Sequence, residues 1–151
     1  MKGFLAGWGI RILIIGAIAL GAFIFRDRLS GSAGDLAVGD CFQVPAESVE
    51  IEDVQHSPCN EAHTGEVFYA ADYAGGGDSY PIDTQFDDAV GAQCLPAFNS
   101  YTGRDYQSDT ELDIGYFYPT MEGWNDGDHE IVCYAVRIDS ATMTSSVKVA
   151  P

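Results

Sequence analysis

Positive charge is scarce in this chain. Seven lysines and arginines stand against 23 aspartates and glutamates, and four of the seven (Lys2, Arg11, Arg26, Arg28) lie in or beside an apolar N-terminal segment. Past Arg28 the remaining cations are Arg104, Arg137 and Lys148, against 22 acids. A folded part this anionic repels nucleic-acid phosphate and anionic lipid headgroups, which excludes DNA, RNA or a membrane surface as its ligand. The field suits cationic partners or divalent ions; its plainest use is a solvated acidic surface. Catalytic signatures are also missing. There is no Gly-x-Ser-x-Gly nucleophile motif and no HExxH pair, and the glycine-rich loop Gly75 to Ser79 has neither a lysine nor a following Gly-Lys-Ser/Thr to hold phosphate. The expectation is no enzyme and no cofactor.

One long apolar run is present. Ile12 to Phe25 reads ILIIGAIALGAFIF, and extension back to Phe4 gives about 22 residues interrupted only by Arg11. At about 1.5 Å per residue that is about 33 Å, enough to cross a bilayer core. Arg11 fits if its stem snorkels to the interface near Trp8. The run is long for a signal peptide, and Arg26-Asp27-Arg28 comes before any small-residue cleavage site. We therefore expect an uncleaved single-pass anchor over residues 1–28, a flexible tether over 29–37 built around Ser30-Gly-Ser-Ala-Gly34, and a folded domain over 38–151. Lys2 and Arg11 balance Arg26 and Arg28, so charge does not orient the anchor. The cysteines do, because a disulfide framework needs the C-terminal domain outside the cytoplasm.

Four cysteines in a small exported domain imply two disulfides, and counting alone leaves three pairings open. Periodicity narrows them. Asp83 or Thr84 is expected to cap a helix running from Gln85 to Tyr101, with Phe86, Val90, Cys94, Ala97, Phe98 and Tyr101 on one apolar stripe. Pro96 is expected to kink or divide it and Gly103 to end it. Strands are read at Cys41 to Val44, Val49 to Val54, Glu66 to Tyr73, Glu111 to Tyr118 and His129 to Asp139, with a bulge near Val136 and an edge strand from Met143 to Val149. Pro119 to Asp128 reads as a long turn. The class is α+β, a mainly antiparallel sheet packed on one helix. Cys94 on the inward helix face and Cys133 on a core strand are natural partners, leaving Cys41 to close the first segment with Cys59.

Gly39-Asp40-Cys41-Phe42, Pro58-Cys59, His63, Gly65-Glu66-Val67-Phe68, Tyr80-Pro81, Cys94, Phe98, Tyr101, Gly103, Pro119-Thr120, Trp124, Gly127-Asp128 and Cys133 follow one another in an order that resembles the septum formation family of actinobacterial membrane-anchored or secreted proteins. The late block, Pro-Thr-x-x-x-Trp-x-x-Gly-Asp-x-x-x-x-Cys, is the most specific part. The chain departs at His129, where the family commonly carries arginine. The resemblance implies an extracytoplasmic domain linked to cell division and supplies no chemistry.

His56, Cys59, His63 and Glu66 stand at zinc-ligand spacing, so a metal-binding module or metal-dependent enzyme using His56, His63 and Glu66 is the alternative reading. Against it, a Cys59 disulfide consumes the thiolate, and Pro58 and Gly65 make an irregular scaffold. A His63–Glu66 hydrogen bond that fixes a turn is the simpler expectation. Trp124 with Tyr116, Tyr118 and Asp128 is read as a candidate binding patch, alongside His63 and Glu66, unless the aromatics are buried. The leading expectation is a non-enzymatic, membrane-anchored domain that binds an envelope protein, a divisome protein or a cell-wall component.

Overall fold

In the computed structural model the described residues are 30–31, 33–45, 54–77 and 79–150. The segment of residues 1–28, expected to be an anchor, and most of the strand expected from Val49 to Val54 lie outside them. Among the described residues no helix is long and apolar enough to cross a membrane.

Six strands form one antiparallel sheet among the described residues: β1 (Ser30–Gly31), β2 (Cys41–Gln43), β3 (Val54–Ser57), β4 (Gly65–Asp72), β5 (Leu112–Phe117) and β6 (Glu130–Arg137), in the order β1-β3-β2-β4-β6-β5. One long helix, α1 (Asp83–Thr102), and one short helix, α2 (Met121–Asn125), complete the fold with two single 3-10 turns. This is the expected α+β class.

Strand β6 shows why the sheet needs cover on both sides. Its residues Ile131 to Ala135 are all buried, and they alternate between two clusters. Ile131, Cys133 and Ala135 pack with Phe86, Cys94, Phe98 and Tyr101 of α1. Val132 and Tyr134 point the other way, to Leu36, Phe42, Val54 and Val67. A strand buried on both faces loses the in–out polarity alternation, which is why the sequence pattern of His129 to Asp139 looks out of phase. The irregularity is not near Val136. It sits in β4, where Val67 pairs with Tyr134 and Tyr69 with Cys133, leaving Phe68 as the extra residue. Leu36 is 3% exposed and Ser30–Gly31 pairs with β3, so part of the stretch read as a tether is held against the sheet.

Helix α1 keeps the expected stripe, with Phe86, Cys94, Phe98 and Tyr101 buried. Its start differs from expectation. Asp83 is already helical and the cap position is Ile82, whose N–H donates to the Gln85 side chain at 3.0 Å. Pro96 does not divide the helix, which runs unbroken to Thr102. Gly103 ends it at φ 69°, a left-handed conformation that glycine adopts without a Cβ penalty, and its N–H donates to the Asn99 carbonyl.

Two segments differ from expectation. Pro119 to Asp128 contains α2, capped by the Thr120 hydroxyl, which accepts from the Gly123 N–H at 3.0 Å. The segment from Met143 to Val149 is not a strand. Met143 makes a single bridge with His63, and the rest spends its backbone hydrogen bonds on a side chain and on the end of α1.

Both disulfides pair as expected. Cys41 joins Cys59 and Cys94 joins Cys133, with Cα atoms 5.2 and 6.2 Å apart.

Candidate functional site

The motif-rich segment from Gly39 to Glu66 folds into a tight frame. Backbone bonds run from Gly39 to the Val67 carbonyl, from Val67 to the Asp40 carbonyl and from Thr64 to the Phe42 carbonyl. The chain thereby places Glu66 inside the protein, where it is 0% exposed. A buried carboxylate is costly unless its oxygens are satisfied. Three donors do so. The Tyr101 and Ser146 hydroxyls donate to Oε1 at 2.7 and 2.6 Å, and the Val147 N–H donates to Oε2 at 2.7 Å. Burial, followed by this bond to Glu66, pushes the Tyr101 phenol well above its ordinary range. Glu66 thus ties β4 to the end of α1 and to the C-terminal strap of residues 140–150.

His63 lies beside the same strap. Its N–H and carbonyl both bond to Met143. Ring Nδ1 sits 2.8 Å from the Glu61 carbonyl, which requires Nδ1 to donate, and Nε2 is buried without a hydrogen-bond partner among the described residues. The expected bond between His63 and Glu66 does not form: the Glu66 oxygens take the Tyr101, Ser146 and Val147 donors, and the His63 ring bonds through Nδ1 to the Glu61 carbonyl.

The ligand set His56, His63 and Glu66 does not converge either. Among the described residues the one group of candidate ligands whose atoms lie within 4.8 Å of one another is Cys41, Cys59 and Glu66. It contains neither histidine, and its two sulfurs are bonded to each other. Half-buried His56 instead lines a shallow depression of about 240 Å³ with Asp40, Pro58 and the Cys41–Cys59 bridge.

Trp124 is buried, 4% exposed, and so is not a recognition surface. It packs edge-on against Tyr73, Tyr80 and Phe86, and His129 lies against it with ring centroids 4.1 Å apart. At position 129 this histidine serves as an aromatic neighbour; its Nε2 is 3.2 Å from the Trp124 carbonyl. Asp128 is exposed and accepts from the Glu130 N–H, closing the approach to β6. Burial, then Asp128 and Asp72, raises the Glu130 carboxyl above its usual range.

What is exposed at this end is a different set of apolar groups. Ile82 is 65% exposed, Met121 61% and Tyr118 43%. The Tyr118 ring stacks on buried Phe86 at 4.4 Å, and the Tyr80 hydroxyl donates to the Pro119 carbonyl at 2.9 Å. The entry to α1, the end of β5 and the entry to α2 thus lie together. Sequence reasoning named Tyr118 but missed Ile82 and Met121. Ile82 carried a signal, since it stands at the cap position of α1 where a polar residue would serve better; Met121 follows the Thr120 cap and carried none.

A family model described as septum formation matches residues 38–149. Comparison with curated proteins and with solved structures gives no match.

Proposed function

Because this chain belongs to the septum formation family, we propose that it is a non-enzymatic extracytoplasmic domain, anchored by residues 1–28, that binds or scaffolds an envelope protein, a divisome protein or a cell-wall component during division. The observation that carries the non-enzymatic part is the occupation of Glu66. The motif carboxylate that the sequence offers as a metal ligand is enclosed by three donors that hold the fold together. Two disulfides support an oxidising location. The apolar run Ile12 to Phe25 supports a single membrane crossing.

The test has two readings in the native host. A fluorescent fusion of the full chain is expected to concentrate at division sites, and protease added outside wall-stripped cells is expected to digest the domain. Uniform distribution of the fusion, or a domain protected from external protease, would overturn the proposal.

A further inference from the structure

The exposed apolar groups at the α1–α2 end have acidic neighbours in each element that supplies them. Ile82 is followed by exposed Asp83 and Met121 by exposed Glu122. Tyr118 lies 6.0 Å, ring to ring, from Tyr116, whose hydroxyl donates to exposed Asp87 at 2.7 Å. Asp83 and Tyr118 both stand close enough to Tyr80 and Tyr116 to be felt electrostatically by each.

We propose that Ile82, Tyr118 and Met121, rimmed by Asp83, Asp87 and Glu122, form a docking surface for a partner-protein segment that carries apolar side chains flanked by lysine or arginine. This rests on the binding role proposed above and gives that role a surface and a partner chemistry.

Two features fix the occupant. The first is rigidity. Tyr118 is backed by buried Phe86, which in turn packs on Tyr73, Tyr80 and Trp124, so the anchor ring is already ordered before anything binds. The second is charge. The cations of the described residues are all engaged elsewhere: Arg104 with Asp109 and Glu111, Arg137 with Asp139, and Lys148 over the Tyr101 ring. The charged groups at the rim of this patch are therefore all carboxylates. A second copy would bring the same carboxylates face to face, and an anionic lipid surface would meet the same repulsion. A cation-flanked apolar segment satisfies both the patch and its rim.

The probe is a fluorescent synthetic peptide of alternating leucine and lysine, compared with its glutamate-for-lysine counterpart, titrated by anisotropy into the full chain. The lysine peptide is expected to bind and the glutamate peptide not to bind. Tyr118→Ser combined with Ile82→Ser is expected to weaken the lysine peptide by about tenfold or more, as loss of an ordered aromatic anchor does. Asp83→Asn with Glu122→Gln should retain the apolar contact and flatten the salt dependence. Both variants are accepted only with both disulfides intact and an unchanged far-ultraviolet spectrum. Equal binding to wild type and to the Tyr118/Ile82 variant would overturn the proposal, because the peptide would then be held by the acidic surface at large. Self-association that disappears in that variant, with no peptide binding, would overturn it in favour of a second copy. Localisation of the variant at division sites in the same experiment separates the two levels: retained localisation without peptide binding removes this surface and leaves the proposed function standing.

Discussion

Glu66 shows how a residue with catalytic potential becomes a structural one. Its value lies in three hydrogen bonds from two distant segments, and bonds to a charged group are individually worth about 1.5–3 kcal/mol. Glu66→Ala leaves the Tyr101 and Ser146 hydroxyls and the Val147 N–H without their acceptor. With three donors left unsatisfied at about 1–3 kcal/mol each where buried, the expected loss is about 3 kcal/mol or more of unfolding free energy, read from urea denaturation, with faster amide exchange at Val147. Glu66→Gln keeps one carbonyl acceptor and should cost about half as much. Exchange at Val147 unchanged in Glu66→Ala would show that the strap is held by other contacts. Gly115 makes a steric counterpart on the other face of the sheet. A Cβ there would overlap the Tyr134 ring that lies across it. Gly115→Ala is expected to destabilise by about 1–3 kcal/mol, the usual cost of overpacking; a variant as stable as wild type would mean that the ring swings aside freely.

At the scale of elements, what was legible followed from local periodicity and what was not followed from contacts across the chain. The stripe Phe86, Cys94, Phe98 and Tyr101 specified both the helix and the Cys94–Cys133 pairing, because a cysteine on an inward helix face has to meet a strand beneath it. Gly103 announced the helix end for a reason a single residue carries, its positive φ, and Gly103→Ala should cost about 1 kcal/mol in a thermal or urea melt. Loss of nothing measurable would mean that the backbone relaxes out of that conformation. The short helix α2 was hidden inside a glycine-rich turn, since Gly123 has poor helix propensity and only the Thr120 cap and packing of Trp124 select the helical state. The strap of residues 140–150 was hidden for another reason. It looked like an edge strand, but beyond the single Met143–His63 bridge its partners are the Glu66 carboxylate and the Tyr101 carbonyl, neither of which any periodicity encodes. The same gap misdirected the site reading: His56, His63 and Glu66 are close in sequence, yet two strands and a disulfide send their side chains to different places.

For the whole molecule, acidity and buried phenols together set the response to pH. Burial raises the Tyr134 hydroxyl to about 12, and a bond to Asp87 followed by burial raises Tyr116 to about 12. Burial and Glu66 push Tyr101 in the same direction. A free tyrosine titrates near 10. From about pH 10 to about pH 12 the unfolded chain gives up these protons while the folded chain keeps them. The folded state then binds more protons, so stability falls as pH rises through that window and is fully present below it. The net charge of −16 also weakens the fold through self-repulsion, but added salt screens repulsion between exposed charges and acts much less on a buried phenol. The two causes are therefore separable. Urea midpoints measured from pH 8 to 12 should decline steeply above pH 10 in both low and high salt, and Tyr134→Phe should flatten the decline. Absorbance at 295 nm should show part of the tyrosines ionising only as the protein unfolds. If every tyrosine of the folded protein ionises near pH 10, or if salt abolishes the decline, the buried phenols are not its cause and surface repulsion is.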